Sequence, residues 1–146
     1  MQPGGEGRLA SKRVYLAKHL QKRFLRQFLH DGFNTDERDR KAFDLVWPHI
    51  AGAGQGSFNE RFALPGYSSF PATRFPYAYV EQADAFGHRD GLLVRYPAAL
   101  QPKVIYTNKP VEYWGQGRAA ALTHTTIDGA RDLSLPANVR SYLIAG

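Results

Sequence analysis

The chain has 146 residues and no cysteine, which excludes disulfide frameworks, thiolate-bound zinc or iron–sulfur sites and cysteine nucleophiles. At 43% hydrophobic and 22% charged it has the composition of an ordinary globular domain, and no run approaches the roughly 18 apolar residues needed to span a bilayer. The net charge of +6 is uneven: residues 1–41 hold ten Lys/Arg against five Asp/Glu, and the rest hold nine against eight, so any attraction to polyanions belongs to the N-terminal part.

Residues 1–10 (MQPGGEGRLA) are Gly-rich and aperiodic, which predicts a disordered lead-in to one domain over residues 11–146. They contain no hydrophobic segment of a secretory signal, so a cytoplasmic location is the default expectation. Leu16, Leu20, Phe24 and Phe28 then recur every four residues, widened by Leu25 and Leu29, with Lys18, Lys22 and Arg26 along another face. That spacing predicts an amphipathic helix from Ser11 to His30, closed by a C-terminal glycine at Gly32.

After a polar turn from Asn34 to Lys41, residues Phe43–Trp47 read as a strand stopped by Pro48, and Ala51–Gly56 as a glycine loop. Residues 57–99 are aromatic and proline-punctuated without sustained period, the pattern of an inserted cap or binding loop. Lys103–Thr107 is a second strand between Pro102 and Asn108-Lys109-Pro110, Gln116–His124 a short alanine-rich helix, and Val139–Ala145 a third strand. Short apolar strands separated by helical pieces imply an α/β fold with a mostly parallel sheet of few strands.

Four phrases carry a resemblance. FLRQFLHDGFNTDE (Phe24–Glu37), WPHIAGAGQGSFNERFALP (Trp47–Pro65), PKVIYTNKPVEYWG (Pro102–Gly115) and ALTHTTIDGARDLSLPANVRSYLIAG (Ala121–Gly146) resemble a family of large, poorly characterised α/β-hydrolase-domain proteins. The likeness covers about residues 23–146 and matches the family's C-terminal half. It implies a partial α/β-hydrolase fold, with the basic helix following the nucleophile-bearing strand and residues 57–99 as the cap. Pro102–Thr107 would be the strand before the catalytic acid, and Val139–Ala145 the strand before the catalytic histidine. The implied chemistry is serine-dependent hydrolysis of a carboxylic ester or related acyl bond in a small-molecule substrate, with no cofactor.

Such a site needs a serine on a strained strand-to-helix elbow, a histidine base and a carboxylate that orients the imidazole. The resemblance places the nucleophile four residues before Arg23, where this sequence has His19, flanked by Ala17 and by a Gln21 too large for an elbow. It places the acid at Glu112, six residues after Tyr106, for which a loop carboxylate paired with Arg118 is the plainer reading. The family's histidine follows the motif matching YLIAG, where this sequence stops. The expectation is therefore a truncated or degenerate relative, inactive alone.

Other residues are candidates without that support. His124 is the best remaining base, though a local hydrogen bond, beside Thr125, Thr126 and Asp128, is the simpler reading. His49, at a strand end, is a possible pocket residue or a satisfied structural histidine, and Ser57 lacks the Gly-x-Ser-x-Gly context. His49, His88, His124 and Asp90 match no metal-ligand spacing, so no metal is expected. Gly52–Gly56 does not open a helix as a phosphate loop would.

The alternative to a hydrolase is a non-catalytic binding module. It would use the basic helix (Lys12, Arg13, Lys18, Lys22, Arg23, Arg26) on nucleic acid or an anionic surface, or the aromatic cap (Phe58, Phe62, Tyr67, Phe70, Phe75, Tyr77, Tyr79). The hydrolase resemblance already accounts for Arg23 and Arg26, so nucleic acid is not the expected partner. Half a sheet leaves a strand edge open, which favours self-association or a complementing chain.

Overall fold

A computed structural model describes residues 14–16, 22–54, 76–84, 86–114 and 119–145. Its centre is a four-stranded parallel sheet built from β1 (Val14–Leu16), β2 (Leu45–Trp47), β5 (Lys103–Asn108) and β6 (Val139–Leu143), ordered β1-β2-β5-β6. A hairpin of β3 (Gln82–Ala83) and β4 (Arg89–Asp90) forms a separate antiparallel pair. Two α-helices, α1 (Lys22–His30) and α2 (Pro110–Trp114), and 3₁₀ turns at Ala98–Leu100 and Ala120–Thr123 complete the regular elements among the described residues. The expected α/β class with a mostly parallel sheet is thus observed.

The N-terminal helix is corrected. Where the four-residue period predicts one helix from Ser11 to His30, Val14–Leu16 is a strand paired in parallel with Leu45–Trp47, and the helix begins only at Lys22. Val14-Tyr15-Leu16 is β-branched and aromatic, and sheet pairing outweighs a helical spacing that is only a weak local preference. The alanine-rich helix is also corrected: residues 120–123 form one 3₁₀ turn, and residues 115–118 lie outside the described residues. So do residues 1–10, and residues 55–75 with most of the expected cap.

α1 buries Leu25 and Leu29 completely and packs Phe28 against the core. Gly32, at φ 86°, ends it: its amide bonds to the Leu29 carbonyl at 3.1 Å and the Phe33 amide to the Phe28 carbonyl at 3.1 Å. This paired closure satisfies two terminal carbonyls and needs a left-handed residue, which glycine adopts at little cost. The next turn is locked by Asn34, fully buried, whose side chain bonds both ways with the Phe43 backbone at 2.9 and 3.0 Å.

β5 lies between β2 and β6, and Val104, Tyr106, Thr107 and Asn108 are buried along it, as a strand covered on both faces requires. The core joins Leu25 and Leu29, Val46, Val104, Tyr106 and Val139 to Tyr79, Leu92, Leu93 and Tyr96. The described part of the expected insertion, residues 76–84 and 86–99, therefore supplies a large share of the core. Gly91 permits this. A Cβ there would lie 2.6 Å from the Val80 carbonyl oxygen, and the adjoining Leu92 amide bonds to the Ala78 carbonyl at 2.9 Å.

Candidate functional site at the carboxyl end of the sheet

In an open parallel sheet the loops beyond the strand carboxyl ends collect functional groups. Here three segments meet there: residues 48–54 after β2, residues 109–114 after β5, and residues 119–135 on the way to β6.

The loop after β2 folds back on β5. His49 bridges to Thr107, and its Nδ1 lies 2.8 Å from the Thr107 hydroxyl oxygen, which also accepts the Trp47 indole N–H at 2.9 Å. The Ile50 amide donates to the Thr107 carbonyl at 2.7 Å, and the Tyr106 hydroxyl donates to the Gly52 carbonyl. Ile50 at φ 55° and Gly52 at φ 67° make the sharp exit possible; a β-branched side chain in this region is strained and is held by these bonds. The glycines shape a strand exit, and His49 is bound into its structure.

Glu112 sits in the first turn of α2 and is buried. Its Oε2 accepts the Lys109 backbone N–H at 3.2 Å, while the Glu112 and Tyr113 amides donate back to the Lys109 carbonyl at 3.1 and 3.0 Å. This is the reach-back bond of a helix-capping glutamate, and it fixes the carboxylate just past β5. Arg118, its expected partner in the simpler reading, lies outside the described residues, as do His19 and Ser57.

His124 departs from expectation. Its partners are Tyr113 and Asp132, while the Thr126 hydroxyl and Asp128 bond to each other. The His124 Nε2 lies 2.8 Å from the Tyr113 hydroxyl with the two rings stacked, and its Nδ1 lies 3.7 Å from an Asp132 carboxylate oxygen. Sequence reasoning missed Tyr113 and Asp132. The available signal was Tyr113's place immediately after Glu112 in EYWG, on the helix that faces the 119–133 loop. These residues line a cleft of about 360 Å³ at the ends of β5 and β6, with Asn108, Ser141, Leu133, Leu135 and Leu143 around them. His49 and Glu112 do not line it.

The chain was compared with protein-family models, with curated proteins and with solved structures. It matches none of them. The site is therefore read from its own residues.

Among the described residues no group of three or more His, Asp or Glu is placed to hold a metal. His88 pairs with Asp84 at 3.0 Å on the exposed hairpin, and Asp90 pairs instead with His30 at 2.9 Å. Arg26 is not on a solvated basic face. It is fully buried, donates to the Tyr77 carbonyl, and lies 5.8 and 5.7 Å from the centres of the Tyr79 and Tyr106 rings. Tyrosine faces and a carbonyl accommodate the planar guanidinium where water is excluded. Burial raises the Tyr79 hydroxyl pKa, against the nearby Arg26 charge that lowers it. The polyanion-binding reading thus loses Arg26, and Lys12, Arg13 and Lys18 lie outside the described residues. No helix among the described residues is long and apolar enough to cross a membrane.

Proposed function

We infer that the chain is an α/β-hydrolase-type domain of the carboxylic ester or acyl class that does not itself carry out serine-dependent turnover. The observation that carries this reading is the consecutive parallel order β1-β2-β5-β6, with Glu112 buried directly beyond β5. That order matches the roles implied by the sequence resemblance: nucleophile strand, following strand, acid strand, histidine strand. β1 ends at Leu16 and α1 begins at Lys22, and His19, the position that the resemblance gives to the nucleophile, lies between them in the sequence, outside the described residues.

Histidine at that position lacks the hydroxyl that would form an acyl intermediate, and Gln21 replaces the small residue that such a turn requires. The substrate class is a small-molecule ester, and no cofactor enters the scheme. Partner chains are a second copy or a complementing chain, favoured by exposed Tyr142 and Leu143 on the sheet-edge strand β6.

The test is hydrolysis of p-nitrophenyl acetate and butyrate by the full chain. The expected result is no turnover beyond general-base background, and none that a serine-directed phosphonate abolishes. Phosphonate-sensitive turnover overturns the reading.

A further inference from the structure

The Tyr113–His124–Asp132 chain has no role in a serine, glutamate and histidine scheme, yet it stands in the cleft. Its geometry makes one hydrogen bond depend on one proton. When His124 is neutral with its proton on Nδ1, facing Asp132, Nε2 can only accept, and the Tyr113 hydroxyl at 2.8 Å spends its proton on it. When His124 takes a second proton from solvent, Nε2–H donates to the Tyr113 oxygen, and the phenolic O–H turns free to donate elsewhere. The Nδ1 of His124 lies 3.7 Å from the exposed Asp132 carboxylate. The other ionisable group lining this cleft is Tyr142 on β6.

We propose that this cleft is a proton-gated binding site for a short, neutral aliphatic acyl compound, whose carbonyl oxygen accepts the Tyr113 O–H when His124 is protonated. The lining fits that class. Leu133, Leu135 and Leu143 provide an apolar wall, Asn108 and Ser141 lie with Tyr113 as neutral polar groups, and the volume is within the range of small-ligand sites. A carboxylate would have to compete with Asp132 for the protonated His124, whereas a neutral carbonyl needs only the Tyr113 O–H. The site is independent of the hydrolase reading, since neither His19 nor Glu112 takes part.

The test uses the full 146-residue chain, isotope-labelled, titrated with hexanamide and followed by backbone amide signals. Signals of Ser141, Tyr142 and Leu143 are expected to move. Affinity at about pH 5.5 should exceed that at about pH 8 by roughly threefold to tenfold, the worth of one hydrogen bond, in step with the ring signals of His124. Tyr113→Phe should bind at the lower pH no better than the unmodified chain does at the higher one. His124→Gln should bind with no pH dependence, and hexanoate should bind more weakly than hexanamide. No movement of the three amides, unchanged affinity in Tyr113→Phe at low pH, or retained pH dependence in His124→Gln overturns the proposal. Hexanoate binding as tightly as hexanamide contradicts the neutral ligand class.

Discussion

Single side chains far apart in the sequence tie this molecule together. His30 closes α1 and meets Asp90, sixty residues later on β4, at 2.9 Å, with Asp31 at 3.3 Å and Arg95 at 3.6 Å from the two partners respectively. Burial by itself would raise the Asp90 pKa, but hydrogen bonds from His30 and the Gly91 amide, and the charges of His30 and Arg95, together hold it below the ordinary aspartate value. A carboxyl depressed in the folded state stabilises the fold above its unfolded pKa, and that contribution is lost as the pH falls through the folded pKa. Asp90→Asn should therefore lower stability by about 1 kcal/mol at neutral pH and leave it nearly unchanged at about pH 2, read as urea midpoints of the two proteins. Equal losses at both pH values would mean that charge has no part in the contact.

The same scale explains what residue patterns could not foretell. Gly32 was legible as a helix terminator because its requirement is local: a left-handed backbone after an apolar stripe. Arg26 was not, since a cation four residues from Lys22 has the spacing of a solvated face. Its burial depends on Tyr79 and Tyr106, more than fifty residues away. The His124–Tyr113 contact spans only eleven residues, but it depends on the packing of the 120–123 turn against α2.

Among the elements, the strands with the clearest local signals, β2, β5 and β6, were readable from short apolar runs, the first two ending at Pro48 and Asn108. β1 was hidden because Leu16 and Leu20 continue the stripe of the true helix, so one period covers two elements. The described part of the aromatic insertion was underestimated for a related reason. Tyr77, Tyr79, Leu92, Leu93 and Tyr96 show no regular period, yet they are buried through an irregular pairing of residues 78–79 with 92–93. Gly91 sets the distance of that pairing. Gly91→Ala should cost roughly 1–3 kcal/mol, because the added methyl meets backbone atoms that cannot move independently. Thermal or urea denaturation of the variant checks this, and a change below about 0.5 kcal/mol would show that the close approach is not structural.

For the whole molecule, the parallel order β1-β2-β5-β6 turns a composition of ordinary proportions into a directional scaffold. All four strands point their carboxyl ends the same way, so the 48–54 loop, Glu112 and the Tyr113–His124 cleft gather at that end. Tyr142 and Leu143 are exposed on β6, the strand that closes one side of the sheet, and Val111 and Trp114 are exposed on α2. The functional reading depends above all on β1, since it decides whether His19 lies between a strand and a helix or within one long helix. Backbone carbon chemical shifts of the full chain in solution test this most directly. The account predicts strand-type shifts at Val14, Tyr15 and Leu16 and helical shifts from Lys22 to His30. Helical shifts running unbroken from residue 14 to residue 30 would contradict it.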